Sequence, residues 1–328
     1  MRVLEMPAYP VPASIAHAVR ERFTVRLGGA EELRTRTIDR LDPARDLNFD
    51  HFRARHMVAE LLRSGLPPGG EAPDFELPST DGAQVRLSGL RGKPVVLHFV
   101  SYTCPVTRGG VYTMRELHRL YGERVQFVEV LVRQAHPGEL HGAYRSYADK
   151  VDDACAFERE EHPPWPVLID DLAGTVQRAY GGLAAAVYLI DSRGAIVFCG
   201  TWGQSPALRR ALDELLADKH ARSSAAKAVD RRPHLAAAIV AGQRGPIRGG
   251  RQSLIDLELG FPGAMALMLV GRAARPVLAP LALRTTPVPT AVRAALLTGL
   301  VVAGTAVGGY ARSRSRGHSE PWLERRRG

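Results

Sequence analysis

Apolar residues recur at helical spacing over 48–65 (Phe52, Met57, Val58, Leu61, Leu62) and again over 13–23, which predicts short helices at the start of the chain. The cluster Gly65-Leu66-Pro67-Pro68-Gly69-Gly70 then interrupts any regular pattern and marks the start of the main domain. A short strand is expected at 85–87. Residues 94–100 form a near-continuous apolar run, the signature of a strand covered on both faces. Helical spacing returns at 106–121 (Val111, Met114, Leu117, Leu120, Tyr121) and is followed by a Val-rich strand at 125–132. A charged helix at 142–160, a short strand at 165–169 and a helix at 171–180 come next. Segments 186–190 and 195–199 flank Asp191-Ser192-Arg193-Gly194, which predicts a hairpin, and 206–220 reads as an amphipathic closing helix. Strands alternating with helices predict an α/β fold with a mixed central sheet and helices on both faces.

The pattern weakens after 220. Residues 221–258 are poor in aromatics and punctuated by Gly and Arg, so 220–258 is expected to be a mobile linker. Two apolar stretches follow at 259–270 and 294–311. The second runs 18 residues without a charge, flanked by Arg293 and by Arg312, Arg314 and Arg316. That is near the shortest helix able to span a hydrocarbon core about 30 Å thick, although six Gly and Thr residues dilute it. The expected organisation is a helical extension (1–66), a main domain (69–219), the linker, and a low-complexity basic tail (259–328) that contacts a membrane surface through 294–327.

Charge sharpens this division. The 328-residue chain carries a net charge of +10. Residues 1–219 hold 27 basic and 29 acidic side chains (27 − 29 = −2), whereas 220–328 hold 17 and 5 (17 − 5 = +12). A basic tail with few aromatics lacks the footprint of a nucleic-acid interface, so that partner is not expected. Three cysteines exclude a disulfide scaffold. The first 30 residues lack a charged n-region followed by an apolar core, so a cytoplasmic location is expected.

The chemistry concentrates at Ser101-Tyr102-Thr103-Cys104-Pro105. Cys104 follows a buried strand and precedes a helix, with Pro105 suited to the first helical position. A thiol there meets unpaired backbone N–H groups and the positive end of a helix dipole, which favour the nucleophilic thiolate. Thr107 stands where a Cys-x-x-Cys motif would place its second thiol, so a local dithiol exchange is excluded. Cys155 and Cys199 are the remaining candidates to resolve an oxidised Cys104, and an external thiol is the expected reductant. No cofactor or metal is implied by any motif. His98 is expected in the core, and Glu129 and Arg133 on the surface.

With those residues in view, 75–216 resembles a thioredoxin-fold redoxin and, more narrowly, the iodothyronine deiodinase family. The resemblance rests on 99–105, with Cys104 where some members place selenocysteine, on 128–137 with its Ala135-His136 pair, and on 165–200. It implies a thioredoxin-like fold in which Cys104 is the nucleophile and His136 its proton-transfer partner, with a small-molecule substrate. Ser101 and Thr103 join the site as hydroxyl donors, and Tyr102, Pro105 and Trp202 line it. Three positions depart from the family pattern: Ala185 stands near the usual proline, Tyr144 replaces a histidine and Val100 a glycine. Three functions are therefore weighed: reduction of a halogenated aromatic, a peroxiredoxin-like thiol peroxidase, and a non-catalytic binding module tethered by the basic tail.

Overall fold

The computed structural model describes residues 48–62, 65–202, 206–217, 226–228 and 232–287. The expected helix at 13–23, the apolar run 294–311 and the basic end of the tail lie outside them. Helix α1 (Ala54–Leu62) precedes the main domain. Strands β1 (Glu76–Pro78) and β2 (Gln84–Arg86) form a small antiparallel pair. Six further strands then build one sheet: β3 (Val95–Val100), β4 (Gln126–Leu131), β5 (Val167–Ile169), β6 (Val187–Ile190), β7 (Ile196–Gly200) and β8 (Ala226–Ala228). Their order is β5-β4-β3-β6-β7-β8. The pairs β3/β4, β4/β5 and β7/β8 are parallel, while β6 runs antiparallel to β3 and β7.

Between the strands lie α2 (Pro105–Tyr121), α3 (Tyr147–Glu161), α4 (Thr175–Ala179) and α5 (Pro206–Ala217). Alternation along β3 sorts its side chains to two faces. Val95, Leu97 and Phe99 join Val128, Val130, Tyr180 and Tyr188 in one core. Val96 faces the other way, with Met114 and Leu117 of α2 and Leu208 and Leu212 of α5. A third cluster, around Val100, Leu131 and Phe157, packs α3 on the sheet. This is the mixed sheet with helices on both faces expected from the pattern, in the thioredoxin-like arrangement that the resemblance implies. It brings the carboxyl end of β3, the end of β4 and the start of α2 together at one sheet edge.

The expected linker is corrected. Within 220–258 the chain forms α6 (Arg232–Ala241), α7 (Arg244–Gly249) and α8 (Arg251–Gly260), and continues into α9 (Ala264–Ala273) and α10 (Arg275–Ala282). Helix α6 lies along α2 and contacts α9 and α10. Its docking residues are small: Ala237, Ala238, Val240 and Ala241 are buried. A Cβ at Gly109 of α2 would sit 2.7 Å from the Ala237 carbonyl carbon, so these helices touch backbone to backbone. Small side chains leave little hydrophobic signal in the sequence, yet they allow this close approach. No single helix among the described residues is long and apolar enough to cross a membrane, and α8 and α9 meet at a 109° bend.

Candidate active site

Cys104 caps the amino end of α2 with Pro105 at its first turn. Its backbone N–H donates to Ser101 O at 3.2 Å, and its carbonyl accepts the first helical bond, from Arg108 N at 3.0 Å. The N–H groups of Val106 and Thr107 and the Thr107 hydroxyl, all in the first turn of α2, favour the thiolate.

The expected lowered thiol pKa is nevertheless overturned. Cys104 is only 5 % exposed. Burial is the largest influence on it, and the thiol is pushed up to about 11. The hydrogen bonds at the helix start do not offset removal from water. The covering groups come from both ends of the domain: Cys104 shares a cluster with Val106, Ala185, Trp202 and Ala238 of α6. A Cβ at Gly245 of α7 would lie 2.7 Å from the Cys104 carbonyl carbon, so α7 rests directly on the site backbone. Ala185, at the position where the fold usually has proline, is thus a wall of the thiol site.

Behind Cys104 runs a buried polar network. Ser101 Oγ accepts from Ala135 N at 2.9 Å, and Ser101 N donates to Thr107 Oγ1 at 3.3 Å. Thr103 Oγ1 donates to Gln134 Oε1 at 2.8 Å and accepts from His136 N at 3.1 Å. Gln134 Nε2 in turn donates to Asp153, whose other oxygen lies 2.5 Å from His141 Nδ1. These bonds lock the β3 and β4 ends to each other and to α3. The hydrogen bond to Asp153 raises the pKa of His141 above its ordinary value.

The structure brings His136 to this network by its backbone N–H. Its imidazole packs on Phe52 with ring centroids 4.4 Å apart, and its carbonyl accepts from Ser253 Oγ of α8 at 2.9 Å. Burial lowers its pKa to about 4, so the imidazole is neutral at pH 7. Tyr102 is buried beside the loop, donates to Glu160 Oε1 at 2.7 Å and lies under Arg248 of α7, whose guanidinium carbon is 4.3 Å from the ring centroid. Arg248 donates to Tyr102 O at 3.0 Å, to Glu160 at 2.6 Å and to Glu161 at 2.5 Å. Arg108 of α2 meets Glu161 at 3.0 Å. This charge cluster fastens α7 to α3 and α2.

Trp202 lies buried in the Cys104 cluster. Cys155 and Cys199 are not brought to the site: Cys199 is buried in the opposite-face core with Tyr188, and Cys155 is half-buried on α3. Glu129 and Arg133, expected on the surface, are buried. Glu129 meets His98 of the neighbouring strand at 3.0 Å, which also places His98 in the core. Gln134, Asp153 and Arg248 are site residues that the sequence did not single out. Among the described residues, no group of three or more His, Cys, Asp or Glu is arranged to hold a metal ion.

Residues 68–199 match the model of the AhpC/TSA family. The chain is similar to thyroxine 5-deiodinase of Rattus norvegicus, 29% identical over 147 residues, covering 41% of this chain and 48% of that protein. It therefore spans about half the length of the curated deiodinases it matches. The thioredoxin-like protein YneN of Bacillus subtilis (strain 168) is 27% identical over 133 residues, covering 40% of this chain and 70% of that one. Among solved structures, a putative thiol:disulfide interchange protein DsbE from Chlorobium tepidum superposes with a TM-score of 0.37 at 27% identity, over 46% of this chain and 96% of that one. The core of the chain has a thioredoxin-like fold, and its residues 68–199 are similar to the AhpC/TSA family.

Proposed function

We propose that the chain is a thiol-dependent oxidoreductase of the deiodinase-like redoxin type, with Cys104 as nucleophile and an external thiol as reductant. The observation that carries this reading is Cys104 at the start of α2, on the sheet edge, with Ser101, Thr103 and the His136 backbone tied into the loop beside it. With an iodoaromatic substrate, the thiolate forms an S–I bond as the C–I bond breaks, and the aryl carbon takes a proton. A first external thiol displaces iodide and leaves a mixed disulfide. A second releases the Cys104 thiol and departs as the external disulfide. With a peroxide, the thiolate takes one oxygen as the O–O bond breaks, giving an alcohol and Cys104 sulfenic acid, which the same two thiols reduce with loss of water.

Both routes need a thiolate and an open face, whereas α6 and α7 cover Cys104. In this proposal the cover parts before chemistry. His136, neutral at pH 7 and packed on Phe52, becomes the proton-transfer partner in the open state. The same burial favours a second reading, in which the domain is a non-catalytic binding module and Cys104 an inert core residue.

Turnover with dithiothreitol separates these. Iodide release from an iodophenol and consumption of hydrogen peroxide are measured on the full chain, with Cys104→Ser as the control. Iodide release supports the leading reading, and peroxide consumption alone supports the peroxidase. If neither the natural chain nor a variant with a loosened cover turns over either substrate, the oxidoreductase reading is wrong.

A further inference from the structure

Helices α9 and α10 form the outer layer of the cover, and their outer face is unlike that of a helix turned to water. In α9 the inner stripe is Ala264, Met268 and Gly271, all buried. A Cβ at Gly271 would strike the Ile239 carbonyl, so this stripe seats α9 tightly on α6. A helix seated on a soluble core ordinarily carries charged and polar residues opposite such a stripe. Here the opposite positions are Ala266, Leu269, Val270 and Ala273. Leu269 is 62 % exposed and Val270 64 %. Helix α10 buries no residue at all, and its Val277 is 75 % exposed. Leu259 and Phe261, at the turn from α8 into α9, are also exposed.

Glu258 caps the start of α9, accepting from Gly263 N at 2.6 Å and Met265 N at 3.0 Å, and the charges beyond it have one sign. Between Glu258 and the end of the described chain at Pro287 there is no acidic residue, and the basic ones are Arg272, Arg275 and Arg284. Arg272 is exposed at the flank of the α9 apolar face. Arg275 turns back to donate to Tyr112 Oη at 2.9 Å, which fixes the start of α10 against α2. Among the described residues no single helix is long and apolar enough to cross a membrane; α8 and α9 have ten residues each and meet at a 109° bend.

We infer that the apolar face of α9 and α10, centred on Leu269, Val270 and Val277 and flanked by Arg272, docks on an anionic lipid surface. Apolar side chains at this face would enter the boundary between headgroups and acyl chains while the arginines meet lipid phosphates, as in helices that lie in an interface. Charge complementarity selects lipid over a neutral apolar partner, because beyond Glu258 the charges on this face are all basic, which gains from anionic headgroups and is opposed in self-association by like-charge repulsion. This site is separate from the apolar run at 294–311, and it stands whether or not Cys104 is catalytic.

The test is sedimentation of the full chain with vesicles of phosphatidylcholine alone or of phosphatidylcholine mixed with phosphatidylglycerol. Binding is expected to the mixed vesicles and to fall steeply as salt is raised. Leu269→Asp combined with Val277→Asp is expected to lower the bound fraction at least tenfold. Both side chains are exposed, so near-ultraviolet circular dichroism of the variant should match the natural chain. Arg272→Glu alone is expected to abolish the preference for phosphatidylglycerol while the apolar contribution persists. If the double variant binds like the natural chain, the contact lies elsewhere and the inference fails. It fails equally if light scattering shows a dimer that the double variant dissolves, because the face is then covered by a second copy.

Discussion

Gly245→Ala tests whether the helical cover controls the thiol. Gly245 sits in α7 with its missing Cβ 2.7 Å from the Cys104 carbonyl carbon and 2.8 Å from Pro105 N. Ordinary contact begins at 3.4 Å, so the added methyl group must gain 0.7 Å (3.4 − 2.7) from backbone on both sides. The site backbone is tied into the sheet, and α7 is the element free to move. Alanine favours the helix by roughly 1 kcal/mol over glycine, whereas overpacking costs about 1–3 kcal/mol, so the change loosens the cover without unfolding the domain. The covered thiol sits at about 11, raised from 9.0. At pH 7 the thiolate fraction is then about one in ten thousand when closed and about one in a hundred when open, roughly a 100-fold difference. A lower pKa also weakens the nucleophile and takes back up to about tenfold, which leaves an expected rise of about 10-fold. The assay is iodoacetamide labelling with each cysteine peptide resolved by mass, because Cys155 and Cys199 must be followed separately. Gly70→Ala, where a Cβ meets nothing within 4 Å, is the control. An unchanged Cys104 labelling rate in a folded Gly245→Ala chain would refute the claim that α7 sets the thiol.

Arg248→Ala removes a guanidinium bonded to Tyr102 O, Glu160 and Glu161, with Arg248 and Glu161 side chains 7 % and 3 % exposed. Breaking such a pair costs about 3 kcal/mol, read as a lower thermal midpoint, and Arg248→Lys should not restore it because the fork geometry is lost. His136, lowered to about 4, binds its proton in the unfolded chain near pH 6.5 but not in the folded one. Stability should therefore fall as pH drops from about 6.5 to 4, by roughly 3 kcal/mol in all, and His136→Gln should flatten that slope in urea titrations. Lys150, buried on α3 and lowered to about 8, donates to Asp171 O at 3.0 Å. The unfolded lysine holds its proton to about 10.4, so stability should rise between pH 8 and that value, and Lys150→Met should abolish the rise. Thr103→Val removes the hydroxyl between Gln134 and His136 N and should cost about 1–3 kcal/mol in chemical denaturation, since both partners are buried.

The redoxin core was legible because its signals are large side chains at regular spacing. The apolar run at 94–100, the helix starting at Pro105 and the Asp191–Gly194 turn all appear where the pattern placed them. Cys104 at the helix start followed from the same strand-proline junction. The cover was not legible, because its contacts are made by atoms that the residues lack. Gly109 meets Ala237, Gly242 meets Pro105 O, and Gly245 meets Cys104. A sequence rich in Ala, Gly and Arg reads as a linker, yet the same small residues let helices meet at their backbones. The buried polar groups were hidden for a different reason. Residue type alone sends Glu129 and Arg133 to the surface, and only strand register reveals that Glu129 lies opposite His98. Gln134 and Asp153 likewise become site residues through bonds that cross from β4 to α3.

Two opposing influences meet at Cys104, and their balance decides what the site can do. The helix start supplies Val106 N–H, Thr107 N–H and the Thr107 hydroxyl, and these persist as long as α2 and its Pro105 start persist. The desolvation that outweighs them comes in part from α6 and α7, which belong to a different layer and are fastened mainly through Arg248 and glycine contacts. The favourable groups, and the part of the burial that comes from Val106, Ala185 and Trp202, are built into the core, while the part that comes from α6 and α7 belongs to a separate layer. Opening the cover leaves the helix-start hydrogen bonds intact and restores water, so the thiol falls toward the value its local sequence dictates. A buried cysteine inert by packing alone would carry no such separation. Its hydrogen bonds and its burial would arise from the same core, and no movement of one layer would release it. On the proposed function, with the covering layer outside the 68–199 match, the reactivity of Cys104 would depend on how α6 and α7 are held.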